Sequence, residues 1–278
     1  MSTTTRDLIS APDRGLNPCG AVTEHMFATL QRGGADMTQL GVPDRRTDRD
    51  DDEVWDYIEV PKARARRTAW RNSVIDASQQ DYLPFRFFGP GMALDENQKP
   101  HTLRNWLDSL VKAKETRSQP TVLNMIVPGN VGSGKTAAVF ALGNEAVEAG
   151  LDTLMVKHST YVSWCRPDSA PRGMSKFKVR EMFVKCDLLI LDELCGEMDT
   201  TATEFTRRET VDLIDSRISS GRPTAYTTNL RSRSQPGSRA VGVVDILGQP
   251  LLSRLESSAH VLRIVGEDRR KPAKPLDW

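Results

Sequence analysis

The sequence predicts an α/β fold in three layers, a central parallel sheet with helices on both faces, preceded by a largely irregular or helical N-terminal arm. Three observations predict it. From residue 121 onward, short apolar runs alternate with helical stretches, the pattern of strands joined by crossover helices. A glycine-rich turn separates the first of these runs from a helix. The most apolar run, Leu188-Leu189-Ile190-Leu191, ends on Asp192-Glu193, as expected of a strand buried on both faces whose C-terminal end opens onto a site.

Taken in order, the first fifty or so residues are rich in Gly, Thr, Asp and Arg and lack a sustained apolar period, and residues 1–62 are read as the arm. The acidic block Asp48-Arg49-Asp50-Asp51-Asp52-Glu53 is followed by Lys62, Arg64, Arg66, Arg67 and Arg71; such blocks are either solvated arms or linkers, or surfaces that dock a partner or track DNA. A basic helix is expected over 63–80, carrying Trp70, Val74 and Ile75, and it makes residues 63–81 a linker to a domain at 82–278. Pro84 and Gly89-Pro90-Gly91 end that pattern. Thr102 then caps an amphipathic helix with Leu103, Trp106, Leu107, Leu110 and Val111 on one face. Strands follow at 121–127, 154–156, 187–191 and 224–228. Helices run from the glycine-rich turn to near Gly150 and over 204–219, and a basic flexible loop covers 231–239.

The chain has 278 residues with a net charge of +1, which excludes a uniformly basic nucleic-acid coat and leaves only local patches for such contact. No apolar run is long enough to span a bilayer and the start has no apolar signal core, so a cytoplasmic protein without membrane partners is expected. Cys19, Cys165, Cys186 and Cys195 are too far apart for a paired zinc motif and read as buried or idle thiols.

The chemistry sits in Gly129, Asn130, Val131, Gly132, Ser133, Gly134, Lys135 and Thr136, which fit the phosphate-binding P-loop. Glycines let backbone N–H groups turn toward phosphate oxygens, and the following helix adds the positive end of its dipole. Lys135 reaches the β- and γ-phosphates of ATP, and the Thr136 hydroxyl coordinates Mg²⁺. A second acidic group must complete the metal shell. Asp192 fills that place, and Glu193 is placed to orient the attacking water, an order that favours hydrolysis over transfer to a small substrate. Asn229, at the end of the 224–228 strand, is either a turn residue or a contact to the γ-phosphate.

With these motifs in place, the chain from about residue 82 resembles the AAA+ ATPases of the DnaC-type helicase loaders and the IstB-type transposition helpers. Tyr82-Leu83-Pro84-Phe85-Arg86 is similar to their entry segment. The P-loop and the strand ending in Asp192-Glu193 match their Walker A and Walker B motifs. Ile214-Asp215-Ser216-Arg217, Gly221-Arg222-Pro223-Thr224 and Thr227-Thr228-Asn229-Leu230 resemble the helix, turn and sensor-1 strand. Leu252-Ser253-Arg254-Leu255 resembles the arginine-finger segment, with Ser253 where Asp is usual. Gly266-Glu267-Asp268-Arg269-Arg270 resembles the closing stretch, with Arg270 in the sensor-2 place. Asp192-Glu193 departs from the Asp-Asp common in the loaders. The chain stops soon after Arg270, so no C-terminal helical lid is expected.

The resemblance implies ATP-driven self-assembly with Arg254 supplied in trans. It also implies contact with single-stranded DNA through a basic helical insert after the second strand, here Arg166, Arg172, Lys176, Lys178 and Arg180. The interspersed Tyr161, Trp164 and Phe177 either stack bases or belong to the core. The function implied first is loading of a replicative helicase onto single-stranded DNA. A DNA-bound transposition helper and a nucleotide switch with negligible turnover are the alternatives.

Overall fold

The computed structural model describes residues 51–74, 77–90, 93–171, 173–196, 203–234 and 241–269. The chain divides into two compact units, Met1–Asp56 and Tyr57–Trp278; the second contains the sheet. Its five strands are β1 (Asn124–Pro128), β2 (Thr153–Lys157), β3 (Leu188–Asp192), β4 (Thr224–Thr228) and β5 (Ala259–Val261). They are ordered β2-β3-β4-β1-β5, and every neighbouring pair is parallel.

Alternation along the strands divides the core between two faces. Met125 and Val127 of β1, Met155 of β2, Leu188 and Ile190 of β3 and Ala225 of β4 join one cluster. That cluster is shared with helices α1 (Asp51–Ser73), α2 (Pro100–Glu115) and α3 (Lys135–Glu148). Leu154, Val156, Leu189, Leu191 and Tyr226 point the other way. Their cover is α4 (His158–Trp164), α5 (Lys176–Lys185), α6 (Glu204–Ser219), α7 (Val243–Leu247) and α8 (Gln249–Ser257). The three-layer α/β class is therefore the observed one, and among the described residues no helix follows β5.

Several boundaries differ from the sequence reading. The helix expected over 63–80 runs over Asp51–Ser73, and a 3₁₀ turn, Ala77–Tyr82, follows it. Pro61 lies inside this helix; it removes one backbone donor, so the sequence pattern began only after it. Trp70 and Val74 are buried in the core, and Ile75 lies outside the described residues. Trp70 Nε1 donates to Asn144 Oδ1 of α3 at 2.8 Å. The Ser73 hydroxyl accepts the Met155 N–H at 3.0 Å, on edge strand β2, and itself donates to the Trp70 carbonyl. α2 starts at Pro100 with Lys99 as its cap, rather than at Thr102, because the fixed φ of proline suits the first helical position. Its predicted face is as expected: Leu103, Trp106, Leu107 and Leu110 are buried and Val111 packs at the edge.

Cys165, Cys186 and Cys195 are buried free thiols; Cys19 lies outside the described residues. No helix among the described residues is long and apolar enough to cross a membrane.

Candidate functional site

Strand β1, between β4 and β5, runs straight into the glycine-rich turn, and α3 begins at Lys135. Gly132 (φ 74°) and Gly134 (φ 95°) occupy left-handed conformations that a side chain would strain. Gly129 is required for a different reason: a Cβ there would lie 1.9 Å from the Ile264 carbonyl oxygen. Lys135 is largely buried and its ammonium donates to the Asn130 carbonyl at 2.6 Å, so its charge is held inside the turn. The Ser133 hydroxyl donates to the same carbonyl at 2.9 Å. Asn130 and Val131 are exposed at the rim, and Thr136 is half-buried in the first turn of α3.

Asp192, the last residue of β3, is 1% exposed. Its Oδ1 accepts the Thr227 hydroxyl at 2.5 Å, while its Oδ2 is buried with no hydrogen-bond partner. Burial pushes this carboxyl up to about 6, against the hydrogen bond from Thr227, which favours the charged form. An ionisable oxygen left in that state suits a cation: Mg²⁺ would supply the missing partner and restore the charged form. Glu193 follows in a left-handed conformation (φ 55°), its N–H held by the Thr227 hydroxyl oxygen at 2.9 Å. Thr227 therefore aligns both acidic residues. Sequence reading passed over it; the signal was the parallel register, which pairs Leu191 with Tyr226 and so sets Asp192 beside Thr227.

The turn after β3 is fastened at three further points. Leu194 N–H donates to the Thr227 carbonyl at 2.7 Å, and the Thr228 hydroxyl donates to the Leu194 carbonyl at 2.9 Å. Cys195 N–H donates to His158 Nδ1 at 3.2 Å. Because Nδ1 accepts, the other ring nitrogen carries the proton and donates to Thr210 Oγ1 at 2.7 Å. Burial pushes His158 down to about 4, keeping it neutral.

Asn229 emerges from β4 beside the P-loop, since Gly129 N–H donates to the Thr228 carbonyl at 3.1 Å. Together with Gly129 and Asn130 it lines a cavity of about 730 Å³ whose walls include Ile126, Tyr226 and Leu252. The C-terminal ends of β1, β3 and β4 thus converge the P-loop, Asp192, Glu193 and Asn229.

Other predicted residues stand elsewhere. Arg254 is exposed on α8 and forms an ion pair with Asp215 of α6. Arg270 and Arg172 lie outside the described residues. In the basic insert, Arg166, Lys176 and Lys178 are exposed. Arg180 is instead paired with Asp212 at 3.2 Å and approaches Glu209 at 3.9 Å. The aromatics divide: Tyr161 and Trp164 pack on Phe183, whereas Phe177 is 72% exposed between the two lysines.

The parallel β2-β3-β4-β1-β5 sheet with a P-loop after β1 and an acidic pair at the end of β3 defines an AAA+ P-loop ATP-binding domain. The chain belongs to the family of IstB-like ATP binding proteins, whose model matches residues 110–276. Among solved structures, the DnaC helicase loader is 16% identical, with 68% of this chain and 99% of that one covered at a TM-score of 0.50. DnaI is 17% identical, with 69% and 93% covered at a TM-score of 0.48. A DNA replication initiation factor is 16% identical, with 63% and 48% covered at a TM-score of 0.46, so the chain spans about half of that protein's length. These likenesses are of fold. No curated protein sequence matches the chain.

Proposed function

We propose that this ATP-binding protein hydrolyses ATP, self-assembles in its ATP-bound form and loads a replicative helicase onto single-stranded DNA. The observation that carries the hydrolytic part is the buried, unpartnered Oδ2 of Asp192 at the strand end beside the P-loop. In this reading the P-loop N–H groups and Lys135 bind the phosphates, and Asp192 with Thr136 would hold Mg²⁺, which would supply positive charge facing the phosphoryl oxygens. Glu193 orients the attacking water and accepts its proton, and Asn229 contacts the γ-phosphate or that water. Arg254 reaches the neighbouring subunit's nucleotide after leaving Asp215, and Arg270 adds charge from the same chain's C-terminal segment. The DNA contact falls to Arg166, Lys176 and Lys178 with Phe177. Arg172 keeps its place in it, and Arg180 supports it from its ion pairs.

The loader reading draws on the fold-level likeness that spans nearly the whole DnaC chain. The IstB-like family match favours a second reading, an ATP-dependent DNA-bound assembly that serves transposition. The test is capture of a replicative helicase in ATP or ADP by the full chain and by a chain beginning at Asp51. The shorter chain keeps α1, whose Trp70 and Val74 belong to the core. ATP-dependent capture that is lost with residues 1–50 supports loading and assigns the helicase contact to the arm. No capture in either nucleotide, with DNA binding intact, refutes it in favour of the transposition helper.

A further inference from the structure

Two groups from distant parts of the chain grip the P-loop from its outer side. Gln98, in the short turn before α2, is 3% exposed, and its Nε2 donates to the Gly134 carbonyl at 3.2 Å. Its Oε1 accepts the Asp95 N–H at 3.0 Å, which fixes the amide's orientation. The fit is close: a Cβ on Gly134 would come within 2.7 Å of that Nε2. On the other flank, the segment after β5 continues alongside β1, with Leu262 and Ile264 donating to the carbonyls of Ile126 and Pro128. It then crosses the P-loop, where Asn130 Nδ2 donates to the Gly266 carbonyl at 2.6 Å and Arg269 N–H donates to the Gly132 carbonyl at 3.1 Å. Asp268 fills the space that a Cβ on Gly132 would need. An ion pair between Arg269 and Asp95 joins the two flanks.

We propose that Gln98 and Arg269 are positioning residues of the nucleotide site, linked through Asp95 into one brace that presets the phosphate-facing backbone of the P-loop. This rests on the P-loop reading above. The argument is one of peptide geometry. A trans peptide is planar, with its C=O and N–H pointing in opposite directions. The Gly134 carbonyl accepts the Ala138 N–H of α3 at 3.0 Å as well as Gln98 Nε2, and holding it outward aims the Lys135 N–H inward, toward where phosphate oxygens bind; the Gly132 carbonyl, held by the Arg269 N–H, fixes the next peptide, whose Ser133 N–H closes the turn onto the Asn130 carbonyl at 3.4 Å. A glycine-rich loop without such holds would have to order itself on binding, which lowers affinity. The brace also makes the C-terminal segment part of the nucleotide site, where Gly266 and Arg269 meet Asn130 and Gly132 of the P-loop.

The test measures ADP and ATP affinity of the full-length protein by nucleotide fluorescence, with thermal midpoints of the nucleotide-free variants alongside. Gln98→Leu removes the amide at nearly constant volume and should weaken both nucleotides by on the order of tenfold, a hydrogen bond's worth of lost preorganisation. Arg269→Glu, at an exposed position, should weaken them by a few-fold while leaving the midpoint unchanged, and adding Asp95→Lys should recover affinity. A role in stability alone would move the thermal midpoint of the nucleotide-free variants rather than their affinity. If Gln98→Leu folds and binds as wild type, or if the swapped pair binds no better than Arg269→Glu alone, the brace is overturned. Lys135→Ala is the control: its failure to bind nucleotide while the brace variants bind normally removes the brace alone, whereas normal binding by Lys135→Ala removes the P-loop reading beneath it.

Discussion

Trp70 and Gly143 form a lock whose two halves can be tested against each other. The indole is 3% exposed, packs edge-on against Phe140 at 5.8 Å between centroids, and donates to Asn144. Trp70→Ala should cost about 3–5 kcal/mol for the emptied volume, and about 1 kcal/mol or more for the buried Asn144 oxygen left without its donor. Against a total stability of about 5–15 kcal/mol, that is a large fraction. Gly143 lies under the ring: a Cβ there would come within 2.1 Å of its Cη2. Gly143→Ala should therefore destabilise the wild type by roughly 1–3 kcal/mol, despite the better helix propensity of alanine. In the Trp70→Ala background the clash is gone, and the same substitution should stabilise by up to about 1 kcal/mol. Urea unfolding followed by circular dichroism reads all four proteins. If Gly143→Ala has the same sign and size in both backgrounds, the contact argued from the structure is wrong.

Three further outcomes follow from the site. Arg254→Ala and Glu193→Gln should each lower ATP hydrolysis by about 10³-fold, and mixing the two proteins should restore part of it if the arginine acts across a subunit interface; no recovery at any ratio refutes that arrangement. Replacing Lys176 and Lys178 by Ala while sparing the ion-paired Arg180 should weaken single-stranded DNA binding, and should flatten the dependence of log K on log salt by about 1.4; an unchanged slope moves the DNA contact elsewhere. His158 titrates lower in the folded protein than its ordinary 6.5, so its contribution is present above that pH and is lost as pH falls toward about 4. Asp192 titrates higher than usual, so its contribution has the opposite sign, lost as pH rises through about 6. The two offset each other in that window, and without Mg²⁺ Asp192→Asn should make the urea midpoint fall more steeply between pH 6.5 and 4 than in wild type. Parallel profiles would contradict this.

What the sequence disclosed was chemistry carried by contiguous residues. The P-loop and the strand ending in Asp192 are read from neighbours in the chain, because strand, turn and helix must follow one another for the site to form. Links between distant segments were not legible. Trp70 and Asn144, Gln98 and Gly134, and Asp95 and Arg269 are joined only by the fold, and one sequence contains no sign of such pairings. Strand β5 was missed because it is three residues long, largely exposed and paired only with β1. Arg217 lay inside a motif recognised for other reasons. Fully buried, it donates to the carbonyls of Phe183, Val184 and Cys186 at the end of α5, to that of Pro223 and to the Thr224 hydroxyl. A buried guanidinium satisfied by carbonyl oxygens and the negative end of a helix leaves no acidic partner in the sequence to betray it.

The hydroxyl of Ser73 has a consequence for handling the protein. Strand β2 ends the sheet, and an outer strand with open backbone donors invites a strand from another molecule. Ser73 covers one of those donors, at Met155, and it does so from the last turn of a helix that precedes the P-loop and the sheet in the chain. A chain trimmed at residue 82 would lose that cover along with Trp70, and would present a sticky margin to its own copies. Clumping of such a shortened protein would then report a bared sheet margin, and would be easily mistaken for assembly driven by ATP.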